Sequence, residues 1–167
     1  AVTGLQGLSL RNTGLTLRDG RGKAVYRDFG ELLFTHFGLS GPTVLSASAH
    51  CKPGEHYTVE LDLKPALDAE KLEARMLRDL KQYCNRSMEN ALADLYPHAL
   101  IPALLDMAQI DPFGKANALT REKRQTLLRL TKAFPIAITG LRPVDEAIIT
   151  RGGVSVREVD PKTMESK

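Results

Sequence analysis

The sequence predicts an α+β fold: a β-barrel-like or antiparallel β subdomain with a small helical bundle inserted between its strands. Three observations carry this. Apolar and polar residues alternate with period two in Leu8-Ser9-Leu10-Arg11, in Leu15-Thr16-Leu17-Arg18 and across Tyr57–Leu63, the pattern of half-buried strands. Between residues 66 and 134 the spacing changes to three and four, as in Leu72, Met76, Leu77, Leu80 and Tyr83, the pattern of amphipathic helices. Strand character then returns at Ile136–Gly140, Ala147–Arg151 and Val154–Val159. The expected division is residues 1–65 plus 135–167 as the β-rich subdomain and 66–134 as the helical one.

Taken in order, Leu8–Asn12 and Leu15–Arg18 are two short strands joined by the turn residues Asn12-Thr13-Gly14. Asp19-Gly20-Arg21-Gly22 suits a tight hairpin, from which Lys23–Asp28 returns to pair antiparallel with Leu15–Arg18. Glu31–His36 reads as a buried strand, and Gly38 lets the chain turn sharply. Ser40 then caps a helix over Thr43–His50, with Pro42 in its first turn, where a missing N–H is harmless. Lys52-Pro53-Gly54 ends that helix. Tyr57, Val59, Leu61 and Leu63 share one face of the next strand, which Pro65 closes.

Asp68 opens the first helix of the second block. Shorter helices follow at Ser87–Leu95 and Pro102–Ile110. Thr120 caps a last helix that ends near Phe134 and buries Leu127, Leu128, Leu130 and Phe134. Gly152-Gly153 interrupts the final two strands, which suggests a bulge or a close backbone approach.

The 167 residues, 43% apolar and 26% charged, suffice for a real core. The net charge of +3 is spread without a basic block, which argues against nucleic acid or an acidic membrane as a partner. An aromatic content of 5% without tryptophan argues against a base-stacking platform. No apolar run approaches the roughly 18–20 residues of a membrane span, and no secretory signal is present. Cys51 and Cys84 lack metal-ligand spacing and read as reduced, mostly buried thiols of a cytoplasmic protein. The chain starts without methionine and stops abruptly, which reads as a domain excised from a larger protein.

Few residues offer chemistry of their own. Gly38-Leu39-Ser40-Gly41-Pro42 approaches a nucleophile elbow, but Pro42 stands where the spacing demands glycine, so Ser40 is read as the helix cap. The histidines His36, His50, His56 and His98 include no helical pair suited to zinc, and no metal site is expected. His36 follows a buried strand and precedes a turn. Its ring either bonds a local backbone group or stands at the mouth of a ligand pocket. No Gly-x-Gly-x-x-Gly run and no phosphate-binding loop with lysine occurs, so a dinucleotide is not held by this chain alone in the usual way.

Two stretches carry a family resemblance. Gly30-Glu31-Leu32-Leu33-Phe34-Thr35-His36-Phe37-Gly38-Leu39-Ser40-Gly41-Pro42 resembles a signature of the YhiN-like, aminoacetone-oxidase-type FAD-dependent flavoproteins of bacteria. The run from Asp145 to Lys167 is similar again, with Arg151 departing from the small residue common there. The resemblance implies a β-barrel-like part plus a helical bundle, inserted into a Rossmann-type FAD-binding domain that lies outside this chain. It implies a substrate-binding or capping domain that covers the flavin, with FAD in the parent oxidoreductase and none in this fragment, which alone is not an enzyme. A small-molecule substrate and the FAD-binding domain are the implied partners. Thr35, His36, Gly38, Ser40 and Gly41, with Gly152 and Gly153, are the residues expected at the interdomain cleft, and His36 is the candidate catalytic residue. Two other readings stand beside this one: a protein-interaction module acting through the helical block, and a stand-alone small-molecule binding domain.

Overall fold

The computed structural model describes residues 3–149 and 152–166. Strand β1 runs over Ser9–Asp19, β2 over Ala24–Thr35, β3 over Gly38–Ser40, β4 over Tyr57–Asp62 and β5 over Phe134–Ile138. They form one curled antiparallel sheet in the order β3-β2-β1-β4-β5, half of a barrel. The α+β architecture expected from the sequence is the one observed.

The first two expected strands are one. β1 passes straight through Asn12-Thr13-Gly14, and the turn chemistry is absorbed as an irregularity: Leu10 pairs with Leu32 but Thr13 with Gly30, so β1 carries an extra residue. Thr13 is buried at that point. The Asp19–Gly22 turn and the pairing beyond it are as expected, with Leu15 opposite Asp28 and Leu17 opposite Tyr26. The carboxylate of Asp19 fixes the turn by accepting from the N–H groups of Arg21 and Lys23, both at 2.9 Å.

Helix α1 spans Pro42–Ser48, α2 Ala69–Gln82, α3 Met88–Ala91, α4 Ile101–Met107 and α5 Arg121–Lys132. Asp68 caps α2, its Oδ1 accepting from Lys71 N at 2.8 Å, and Thr120 caps α5 through Lys123 N at 3.3 Å. Leu72, Met76 and Leu80 of α2 face inward, whereas Leu77, one step round the helix from Met76, is 44% exposed. Phe134 is buried as expected, but as the first residue of β5 rather than the end of α5.

Buried side chains of sheet and helices form a single cluster, from Leu15, Leu17 and Leu61 to Leu72, Met76, Leu104 and Leu127. Burying a Leu or Met side chain contributes on the order of 1.5–3 kcal/mol, so this apolar contact dominates the joining of the layers. Polar bonds fix the seam. Leu63 N donates to Thr131 O at 2.9 Å, and the buried hydroxyls of Tyr96 and Thr131 meet at 2.6 Å. Lys132 Nζ lies 2.6 Å from Asp62 Oδ2 and donates to the carbonyls of Lys64 and Leu67.

Beyond β5 the expected strands do not form. Among the described residues, 144–146 and 156–158 are single 3-10 turns, and the one ladder contact is an isolated bridge from Val159 to Ser166. Thr150 and Arg151 lie outside the described residues. Val144, Ile148, Val154 and Val156 are each at least 74% exposed, and among the described residues neither edge strand of the sheet, β3 or β5, pairs with this segment. A strand pattern forms a sheet only where it pairs with an edge, and this one does not.

Candidate functional site

β2 leaves the sheet at Thr35, turns through His36 and Phe37, and comes back as β3, with Thr35 opposite Gly38 and Leu33 opposite Ser40. Thr35 Oγ1 donates to Gly38 O at 3.1 Å and ties the turn across its neck. The apolar members Leu32 and Phe34 are 1% exposed, so β2 is anchored by the face opposite its exposed residues.

Ser40 does not cap α1. It closes β3, and the residue preceding the helix is Gly41, with φ 101° and no side-chain capping bond. Gly41 is there for two reasons: its φ is one that L side chains rarely adopt, and a Cβ would sit 2.9 Å from Leu32 Cα. The helix start is set by docking onto β2 instead, with buried Thr43 donating from Oγ1 to Glu31 O at 2.8 Å. Pro42 occupies the first turn as expected.

His36 and Phe37 are exposed at the tip, their rings edge to face with centroids 5.0 Å apart. Among the described residues no hydrogen bond reaches the His36 ring, so neither a local backbone group nor a carboxylate fixes its tautomer.

The structure brings Thr35, His36, Gly38, Ser40 and Gly41 together on one hairpin and helix start. Gly152 and Gly153 are exposed, with φ 115° and 125°, and a Cβ at either would meet nothing within 4 Å. They serve backbone conformation rather than the close approach expected. Among the described residues no hydrogen bond joins them to the 35–41 turn.

Sequence spacing missed the covering contact. The Arg142 guanidinium lies 4.8 Å above the Phe37 ring and pairs with Glu146, which draws the segment after β5 towards the turn. No local pattern signals a contact between residues so distant in the chain. A second unpredicted contact lies on the same strand, where Tyr26 stacks on His50 at 4.4 Å and donates to Asp28 Oδ2 at 3.0 Å. Burial, then the Asp28 carboxylate, raises the Tyr26 phenol above its ordinary pKa. Cys51 and Cys84 are free and half-buried, and burial pushes the Cys51 thiol up. Among the described residues no group of three or more His, Cys, Asp or Glu is placed to hold a metal.

A sequence model of one protein family, the HI0933-like protein barrel and H2TH domain, matches residues 1–149. The chain belongs to that family. The HI0933-like description couples a barrel to a helical module, as this fold does, and agrees with the flavoprotein resemblance carried by residues 30–42. Similar proteins bear redox names. A ribosomal RNA dihydrouridine synthase of Escherichia coli is 34% identical over 143 residues, 86% of this chain and 34% of that protein. One of the same name from Haemophilus influenzae is 31% identical over 99% of this chain and 38% of its own length. A 3-dehydro-bile acid delta(4,6)-reductase of Clostridium scindens is 28% identical over 84% of the chain and 35% of that protein. The HI0933-like chain thus spans about a third of the length of these relatives. Among the described residues no helix is long and apolar enough to cross a membrane.

Proposed function

We propose that this chain is the substrate-facing, capping domain of a larger bacterial, cytoplasmic FAD-dependent oxidoreductase. In this reading an FAD-binding Rossmann domain of the same protein carries the flavin, and the β subdomain supplies one wall of the substrate cleft. The observation that carries the reading is a face built to be covered. Between 139 and 158 no described residue is buried, Val144, Ile148, Val154 and Val156 stand in solvent, and the same segment leans on exposed Phe37 at the tip of the 35–41 turn. The redox names of relatives about three times as long support it.

The start of α1 is not shaped to hold the phosphates of FAD. α1 has only seven residues, and its first turn is packed on β2 through Gly41 and Thr43, which leaves no phosphate cradle at its N-terminus. In this reading FAD belongs to the remainder of the protein, where it would supply the redox chemistry. This chain's part is to position the substrate, exclude water and present His36 at the cleft. Dihydrouridine differs from uridine by two added hydrogens, and the bile-acid relative is a reductase, so a nucleic acid and a small apolar molecule are the two substrate classes to weigh.

A flavin absorbance spectrum in the intact protein and none in the 167-residue chain is the expected result; flavin retained by the chain alone overturns the assignment. His36→Ala in the intact protein is expected to slow turnover with flavin content unchanged. Unaltered turnover and flavin reduction remove His36 from the site. The interaction-module reading has one observation in its favour, Phe113, which is 80% exposed on the helical block. It predicts a partner chain lost on Phe113→Ser.

A further inference from the structure

Two open clefts adjoin at Leu67, on the side of the domain where β4 gives way to α2. The first, of about 370 Å³, is lined by Lys71, Ala74, Arg75 and Arg78. The second, of about 470 Å³, is lined by Asn12, Phe29 and Lys64 with the apolar residues that follow β4. In the linear sequence these cations alternate with acids. The helix separates them: at about 100° per residue Lys71, Arg75 and Arg78 fall within one narrow stripe, whereas Glu73 falls on the far side. Glu73 is engaged there by Gln125 at 2.6 Å and Arg124 at 3.5 Å.

Two carboxylates border the stripe. Asp68 pairs with Lys71 at 2.9 Å, and buried Asp79 pairs with Arg75 at 2.6 Å and Arg78 at 3.7 Å. Four cations thus face two acids. Among the described residues Lys64 pairs with no carboxylate, its ammonium standing 5.9 Å from the Tyr96 ring centroid. Burial first, and then the charge of Arg75, lowers the Lys64 pKa. Phe29, at 59% exposure, presents an aromatic ring in the second cleft.

We propose that this groove binds single-stranded RNA, its phosphates on the Lys71–Arg75–Arg78 stripe with Lys64 and a base stacked on Phe29 beside Asn12. A cationic track leading to an exposed aromatic is the general form of a single-strand surface, and an acidic peptide would have no use for the ring. Phe29 lies six strand residues from Thr35, about 20 Å along β2, so the groove is an outlying contact that only an extended substrate spans. As a statement of substrate class this rests on the oxidoreductase reading. A molecule the size of a steroid cannot reach both places.

The test uses the intact protein, a short fluorescein-labelled single-stranded RNA, and anisotropy over a series of KCl concentrations. Lys71→Gln with Arg78→Gln is expected to weaken binding roughly tenfold and to flatten the salt slope by about 1.4, at about 0.7 per single-strand phosphate contact. Phe29→Ala is expected to weaken binding about tenfold with the slope unchanged. All three positions are well exposed, and far-UV circular dichroism and the urea midpoint check the fold. Unchanged affinity and slope in the double variant overturn the groove, as does equal competition by polyglutamate. Flavin-dependent turnover of the variants is read separately, so a failed groove with flavin chemistry intact leaves the oxidoreductase reading standing.

Discussion

Replacing Gly41 by Ala tests whether the hairpin and α1 form one rigid unit. The new Cβ would lie 2.9 Å from Leu32 Cα, 3.1 Å from Glu31 O and 3.2 Å from Leu33 N, all backbone atoms of β2 that cannot swing aside. The residue also keeps φ 101°. Backbone strain of this kind costs about 1–3 kcal/mol, and overpacking against fixed atoms costs a similar amount, about 1–3 kcal/mol. The sum of about 2–6 kcal/mol is a large part of the roughly 5–15 kcal/mol typical of a domain. Gly38→Ala is the matched control. Its φ is 139° but nothing lies within 4 Å of the added carbon, so only the strain of about 1–3 kcal/mol applies. Urea unfolding with equal m-values gives both numbers. If Gly41→Ala is no costlier than Gly38→Ala, the docking of α1 on β2 does not set the helix start.

Alkaline stability turns on Tyr96. Burial pushes its phenol up to about 12, opposed by the bond to Thr131. The unfolded phenol ionises near 10, so the unfolded state binds fewer protons across that window. The Tyr96 contribution is fully present below about pH 10 and is lost as pH rises through about 12. Tyr96→Phe is expected to flatten that alkaline loss in urea titrations and to cost about 1 kcal/mol at neutral pH for the missing bond. Val144→Ser with Val156→Ser addresses the uncovered segment. The isolated chain should change by less than about 0.5 kcal/mol, as for exposed sites generally, while the intact protein should lose several degrees of Tm. Equal effects on both would mean that nothing covers these residues.

Periodicity was readable wherever the partner was local. β4 alternates cleanly, and Asp68 and Thr120 announce helix starts that depend only on residues three positions away. It misled where a distant partner decided. Asn12-Thr13-Gly14 has turn chemistry, yet β2 pairs with Thr13 and Gly14 and β4 with Gly14, which holds the run extended. Ser40 has the right side chain for a cap, but its backbone is claimed by Leu33. Val154–Val159 has strand residues, but among the described residues neither edge strand, β3 or β5, takes it up. At the candidate site the hairpin residues were legible together because they are contiguous, whereas Arg142 over Phe37 required the fold. The cationic groove escaped notice because a linear count of charges does not separate the faces of α2.

The placement of β5 has a consequence for how the chain acquires this shape. β1, β2 and β3 meet through short hairpins, and contacts so near in sequence form quickly. β5 pairs only with β4, yet the whole helical block lies between them. The entropy of closing so long a loop falls on that single pairing until the helices are compact. The last strand is then the late arrival of folding, added when Lys132 can reach Asp62 and draw the two ends of the excursion together. Substitutions at that clasp should slow folding less than they speed unfolding.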